Sequence, residues 1–168
     1  MSSENGPTGD WKEALKRMDN LSANIKKNIQ LATLQNSLVV VKALKLHIEN
    51  QDLGWAKLNP AYLKYKIRKG RSRLTLVSTS TLLNSITYEL KNDGLESFVG
   101  VLRKGKRKDG KPPTLIAAVM EYGSAARGIP ARPLFRPTFK ELLPKFQARY
   151  KKALKAAIEG TISQGLSG

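Results

Sequence analysis

Ser85-Ile86-Thr87-Tyr88-Glu89-Leu90-Lys91-Asn92-Asp93-Gly94-Leu95-Glu96-Ser97-Phe98-Val99-Gly100-Val101-Leu102-Arg103 is the stretch on which the fold turns. From Ser85 to Lys91 the residues alternate, with Ile86, Tyr88 and Leu90 on one face. A period of two marks a half-buried strand, because successive side chains point to opposite faces. Asp93-Gly94 supplies the residue pair that tolerates positive φ in a hairpin turn. Leu95 to Arg103 reads as the return strand, with Phe98, Val99 and Val101. The centre of the chain is therefore an antiparallel hairpin.

Both flanks have a helical period. A pattern begins near Asp10, a candidate cap, with Asn20 a candidate interruption. From Leu21 it strengthens: Leu31, Leu34, Leu38, Val41, Leu44 and Ile48 recur every three or four residues, giving one apolar face of a long helix that ends near Glu49. Asn50 to Gly54 is a break. Asn59-Pro60 places an N-cap before proline at the first helical position, so a short basic helix runs through Lys69 and stops at Gly70. Thr79 and Ser80 can cap a turn through Leu82 and Leu83. Thr114 to Tyr122 reads as a short helix with Ile116, Val119 and Met120 inward and Gly123 as its stop. A second long helix carries Phe139, Leu142, Leu143, Phe146, Tyr150, Leu154 and Ile158 as its buried stripe. Thr138 and Glu141 fit a capping box there, but Pro144 follows, so the helix is kinked at Pro144 or its regular part begins at it. The pattern predicts an α+β fold: a small antiparallel β-sheet built on a hairpin and flanked by two long helices. Residues 1–9 read as a disordered tail, 10–160 as a single domain and 161–168 as a frayed end.

Gly128-Ile129-Pro130-Ala131-Arg132-Pro133-Leu134-Phe135-Arg136-Pro137 interrupts the periodic segments. Proline fixes φ and removes a donor, so neither a regular helix nor a central strand fits this segment. Residues before proline are pushed toward extended geometry, which places Ile129, Arg132 and Arg136 in extended or turn conformations. The result is a stiff arm that carries two guanidinium groups and two large apolar side chains. Two roles fit it equally. It contacts a neighbouring subunit, or Phe135 packs within its own subunit while Arg132 braces the loop.

Composition narrows the function. The chain has 168 residues, 40% of them hydrophobic, enough for a core. It has no cysteine, which excludes disulfides and thiolate chemistry. The start of the chain shows no apolar run of the secretory kind, and Leu38 to Leu46, broken by Lys42 and Lys45, is too short to span a bilayer. Net charge is +17 and it is clustered: residues 57–73 are basic without an acid, 103–111 contain only Asp109, and 127–155 contain only Glu141. Such windows point to an anionic partner, with nucleic acid first, acidic protein second and membrane third. Lys104, Lys106, Arg107, Lys108 and Lys111 form a hydrophilic basic loop, expected to be poorly ordered in an isolated subunit and ordered on assembly.

No catalytic set is visible. The one histidine, His47, lies in a helical pattern and reads as a helix-surface or core residue. No metal site and no cofactor site emerges from the pattern. Gly100-x-x-x-x-Gly105-Lys106 lacks the Ser or Thr and the helix of a phosphate-binding loop. Trp11 and Trp55 read as packing anchors.

Three blocks resemble the tail completion and head–tail joining proteins of tailed bacteriophages, the virion morphogenesis family. The first is Gly54-Trp55-Ala56-Lys57-Leu58-Asn59-Pro60-Ala61-Tyr62-Leu63-x-x-Lys66 followed by Gly70-Arg71. The second, Leu76-Val77-Ser78-Thr79-Ser80-Thr81-Leu82-Leu83-Asn84-Ser85-Ile86, is similar to the family's L-x-x-T-G-x-L-x-x-S-I, with Ser80 in place of the glycine. The third is Met120-Glu121-Tyr122-Gly123-Ser124, then Ile129 to Pro137. The resemblance covers roughly residues 54–160. It implies a non-enzymatic structural protein of the virion neck or tail end, assembled as a ring around the DNA channel. Its implied partners are further copies of itself and neighbouring connector, neck, tail-tube or terminator proteins, with nonspecific contact to genomic DNA and no membrane. Its implied location is the virion, and the host cytoplasm during assembly. On this reading Ile129, Pro130, Arg132, Pro133, Leu134, Phe135, Arg136 and Pro137 are the candidate assembly residues, and the basic loop faces DNA or a neighbouring ring. The alternative is a basic, nonspecific nucleic-acid binding protein without an assembly role. A nuclease would need an acidic metal cluster that the sequence does not offer.

Overall fold

A computed structural model describes residues 9–77, 81–101 and 112–160. Residues 1–8 of the tail expected at 1–9, the Thr79–Ser80 cap, the basic loop Lys104, Lys106, Arg107, Lys108 and Lys111, and the C-terminal end at 161–168 lie outside the described residues, and Gly9 is already helical. The fold is α+β: two long helices, α1 (Gly9–Asn50) and α5 (Phe135–Ile158), flank a two-stranded antiparallel sheet. Three shorter helices complete it, α2 (Pro60–Arg68), α3 (Thr81–Ser85) and α4 (Pro113–Tyr122).

The hairpin forms where the alternation placed it. Strands β1 (Ile86–Lys91) and β2 (Glu96–Val101) pair with Ile86 opposite Val101 and Lys91 opposite Glu96. Asn92, Asp93 and Gly94 all take positive φ in the turn. Lys26 on α1 pins that turn, its Nζ lying 2.9 Å from Asp93 Oδ2, and Gln30 Nε2 donates to the Asp93 carbonyl. The ammonium of Lys26 holds the Asp93 carboxyl below its ordinary pKa, first by hydrogen bonding and then by charge. Only the turn-distal end of the sheet is buried: Ile86, Gly100 and Val101 are covered, whereas Leu90 and Phe98 are exposed.

Val40, Leu44 and Ile48 of α1 meet Val77, Leu82, Ile86, Val101, Leu134 and Leu142 in one apolar cluster. Further along, α1 and α5 pack through small and polar residues. Ala32 and Ala153 are fully buried, Thr33 Oγ1 lies 2.9 Å from Tyr150 Oη, and Arg149 donates to Asn36 Oδ1 at 2.6 Å. Small side chains let helix backbones approach closely, and this contact displaces the face expected from leucine periodicity.

Several expectations are corrected accordingly. Leu38, Phe139, Leu143, Leu154 and Ile158 are exposed, and the buried positions of α5 are Thr138, Leu142, Ala153 and Ala157. Asn20 does not interrupt α1. Trp11 is not a packing anchor: it is 66% exposed, on an end of α1 where no described side chain from Trp11 to Ala23 is covered. Phe135, Arg136 and Pro137 are helical, forming the first turn of α5, because a proline near a helix start removes an N–H that has no intrahelical partner there. Pro144 lies inside α5, and no Thr138–Glu141 capping box forms: Thr138 Oγ1 donates to the Leu134 carbonyl at 2.6 Å.

Candidate functional site

The three blocks singled out in the sequence meet around one cleft. The first block enters through α2. Asn59 Oδ1 accepts from Ala61 N at 2.9 Å and from Tyr62 N at 3.4 Å, and Pro60 opens the helix. Gly70, at φ 62°, ends it, and Arg71 N donates to the Lys66 carbonyl at 2.9 Å. The burial of α2 is inverted. Tyr62, Tyr65 and Ile67 are exposed, whereas Lys66 is 2% exposed. Lys66 Nζ donates to the carbonyls of Leu74 and Val77, each at 2.8 Å. Burial, and then the nearby Arg71 charge, push the Lys66 pKa below the ordinary lysine value. Gln51 holds the passing turn in place, accepting from Thr75 N at 2.8 Å and donating to Thr75 O at 3.1 Å.

The third block is locked by Glu121, which is 5% exposed near the end of α4. Its Oε2 accepts from the amides of Leu134 at 2.7 Å and Phe135 at 3.0 Å, and its Oε1 accepts from Arg136 N at 3.0 Å and Arg136 Nε at 3.4 Å. A carboxylate from another helix thus caps α5, where free N–H groups and the helix dipole favour negative charge. Between α4 and α5 the chain reverses through a Ser124–Ile129 bridge. Gly123 makes this possible: at φ 75° a Cβ there would meet Ala131 N at 2.8 Å and Ile129 O at 2.9 Å. Arg132 N donates to the Met120 carbonyl at 2.6 Å.

Arg132 ties the third block to the first. Its buried side chain donates from Nε to the Ala56 carbonyl at 3.1 Å and from Nη2 to the Lys57 carbonyl at 3.4 Å. Trp55 Nε1 reaches the Pro133 carbonyl at 2.7 Å. Of the candidate assembly residues, Arg132 and Leu134 are therefore taken up inside the subunit, and Ile129, Pro133, Phe135 and Pro137 are half-buried. Phe135 packs against the main core. Pro130 and Arg136 present exposed faces, and the Arg136 guanidinium sits 5.0 Å from the Tyr122 ring centre.

Leu76, Val77 and Leu82 of the second block, with Ile116 and Met120 of α4, complete the walls of the cleft, which has a volume of about 590 Å³. In the sequence Glu121 and Lys66 are marked only as members of the resembling blocks. Nothing local showed that the acid would cap a helix start 13 residues away, or that the lysine of an exposed basic helix would point inward. His47 is half-buried on α1, with Nδ1 2.7 Å from Asp52 Oδ1 and Nε2 3.4 Å from Glu141 Oε2. Among the described residues no group of three or more His, Cys, Asp and Glu could hold a metal ion, and no helix is long and apolar enough to cross a membrane.

No protein-family model matches the chain, and no solved structure matches it with significance. An uncharacterized protein of Methanocaldococcus jannaschii is 28% identical over 110 residues, which span 64% of this chain and 75% of that protein.

Proposed function

We propose that this chain is a structural virion protein of the phage neck or tail end, which assembles as a ring that joins or completes head and tail around the DNA channel. The observation that carries the reading is the convergence of the three resembling blocks. Separated in sequence, they line one cleft and are tied by Arg132 to Ala56 and Lys57 and by Trp55 to Pro133. Exposed apolar side chains add support: Trp11, Leu15 and Met18 on α1, and Leu143 and Ile158 on α5, are surface that assembly would cover. Identical subunits joined through two different patches close into rings when the rotation permits. The role is scaffolding, without catalysis. Cryo-EM of assembled particles tests it: a ring on the particle axis is expected, and a single copy off the axis overturns the reading.

The net charge of +17 favours a second reading, a basic nonspecific nucleic-acid binder without an assembly role. Native mass spectrometry over a concentration series separates the two. A monomer at every concentration that binds duplex DNA in a steeply salt-sensitive way supports the binder.

A further inference from the structure

Lys66 is withdrawn from solvent on a helix whose tyrosines face out. A buried ammonium is costly unless charge and hydrogen bonds answer it. Two carbonyls serve two of its three donors, and neutral dipoles leave the charge uncompensated. Among the described residues no carboxylate pairs with it, and no acidic residue lines the cleft it adjoins. Lys57, Arg71 and Arg132 line the same cleft, so among the described residues its charged side chains are of one sign. Most of the remaining wall is apolar, through Leu58, Leu76, Leu82, Ile116, Met120 and Ile129. Tyr62 stands at the rim, its ring centre 6.0 Å from Lys66 Nζ.

We propose that this cleft is the socket for a segment of a partner protein in which one carboxylate is flanked by large apolar side chains. The carboxylate answers the cations around Lys66, and the apolar neighbours fill the walls. Charge complementarity selects an anion, and the wall chemistry selects its carrier. A nucleic-acid duplex presents phosphates on a convex polar surface and has little to place against six apolar side chains. The volume of about 590 Å³ falls in the range, roughly 300–1,000 Å³, that encloses a compact body of a few side chains. The inward lysine then has a purpose that stability alone does not supply: an unpaired buried charge weakens the free subunit and strengthens the complex. The inference rests on the lining of the cleft and does not depend on ring assembly.

The test is selection of a yeast-displayed random nonapeptide library with the purified full chain. Enrichment of peptides carrying one Asp or Glu within two positions of Leu, Ile, Phe or Met is expected. A synthetic enriched peptide should bind about tenfold more weakly, or worse, when its acid is changed to the amide or when the protein carries Lys66→Met. Lys57→Glu, a change on the exposed rim, reads the same cleft without disturbing the core and should weaken binding similarly. Absence of enrichment overturns the proposal. So do an acid-free consensus, equal binding by both variants, and displacement of the peptide by an equimolar DNA duplex, which would make nucleic acid the occupant. Ring formation is read separately on particles, so failure of either result leaves the other standing.

Discussion

Glu121 caps the helix that Leu134 begins: its Oε2 accepts the Leu134 amide at 2.7 Å although the two residues lie 13 apart. The same carboxylate also holds Phe135 and Arg136, so one side chain on α4 sets the end of the proline segment that opens α5. Glu121→Ala strands three amides at the start of α5 and should cost on the order of 2–4 kcal/mol in urea unfolding. Glu121→Gln keeps one acceptor and should cost less. Equal stability of the wild type and Glu121→Ala would contradict the capping role.

Gly123 carries the reversal between α4 and α5. Gly123→Ala adds a Cβ against Ala131 N and Ile129 O, backbone atoms that cannot rotate away, at a φ that disfavours side chains. A loss of more than about 1 kcal/mol is expected in thermal or chemical unfolding. Gly70 also has positive φ but has open space around it, so Gly70→Ala should cost less.

Phe135 and Arg132 serve the subunit first. Phe135 is half-buried against the core, so Phe135→Ala should fall below the roughly 3–5 kcal/mol of a fully buried phenylalanine while still lowering the melting temperature. Arg132→Ala releases the Ala56 and Lys57 carbonyls and should cost about 1–3 kcal/mol. If both variants melt as the wild type does, the segment is not braced as described.

The exposed end of α1 should behave oppositely. Leu15→Lys and Met18→Lys alter side chains that touch no core, so stability should stay within about 0.5 kcal/mol. Under the ring reading the assembled fraction in native mass spectrometry falls. Assembly at wild-type levels would remove this surface from the interface.

Lys66 makes stability depend on alkaline pH. Its folded-state pKa lies below the ordinary 10.5 of the unfolded chain, so between the two values the unfolded state holds the extra proton. Stability therefore rises with pH across that window, as the penalty of a buried charge is relieved. Unfolding free energies measured on a pH series should show the wild type gaining on Lys66→Met up to pH near 10.5. A flat or falling difference contradicts a charged, buried Lys66.

Local periodicity and turn chemistry were enough to mark the hairpin, the α2 cap at Asn59, the stop at Gly70 and the helical character of both flanks. Those features depend on residues within a few positions of each other, and backbone sterics act at that range. Which face of a helix is buried depends on the helix across from it. Leu38, Leu143 and Ile158 have the spacing of a core stripe, but the close approach of α1 and α5 at Ala32 and Ala153 turned them outward. The proline segment was legible as stiff, and its prolines do restrict it. Its helical start at Phe135 came from a carboxylate on α4, which no local pattern could announce. Lys66 is the sharpest case. By itself a lysine in a basic helix belongs in water, and only the turn from Leu74 to Val77, with Arg71 and Arg132 close by, makes it a buried charge facing a cleft. Long-range burial and electrostatics are properties of the assembled chain, because they depend on what surrounds a group in space rather than along the sequence.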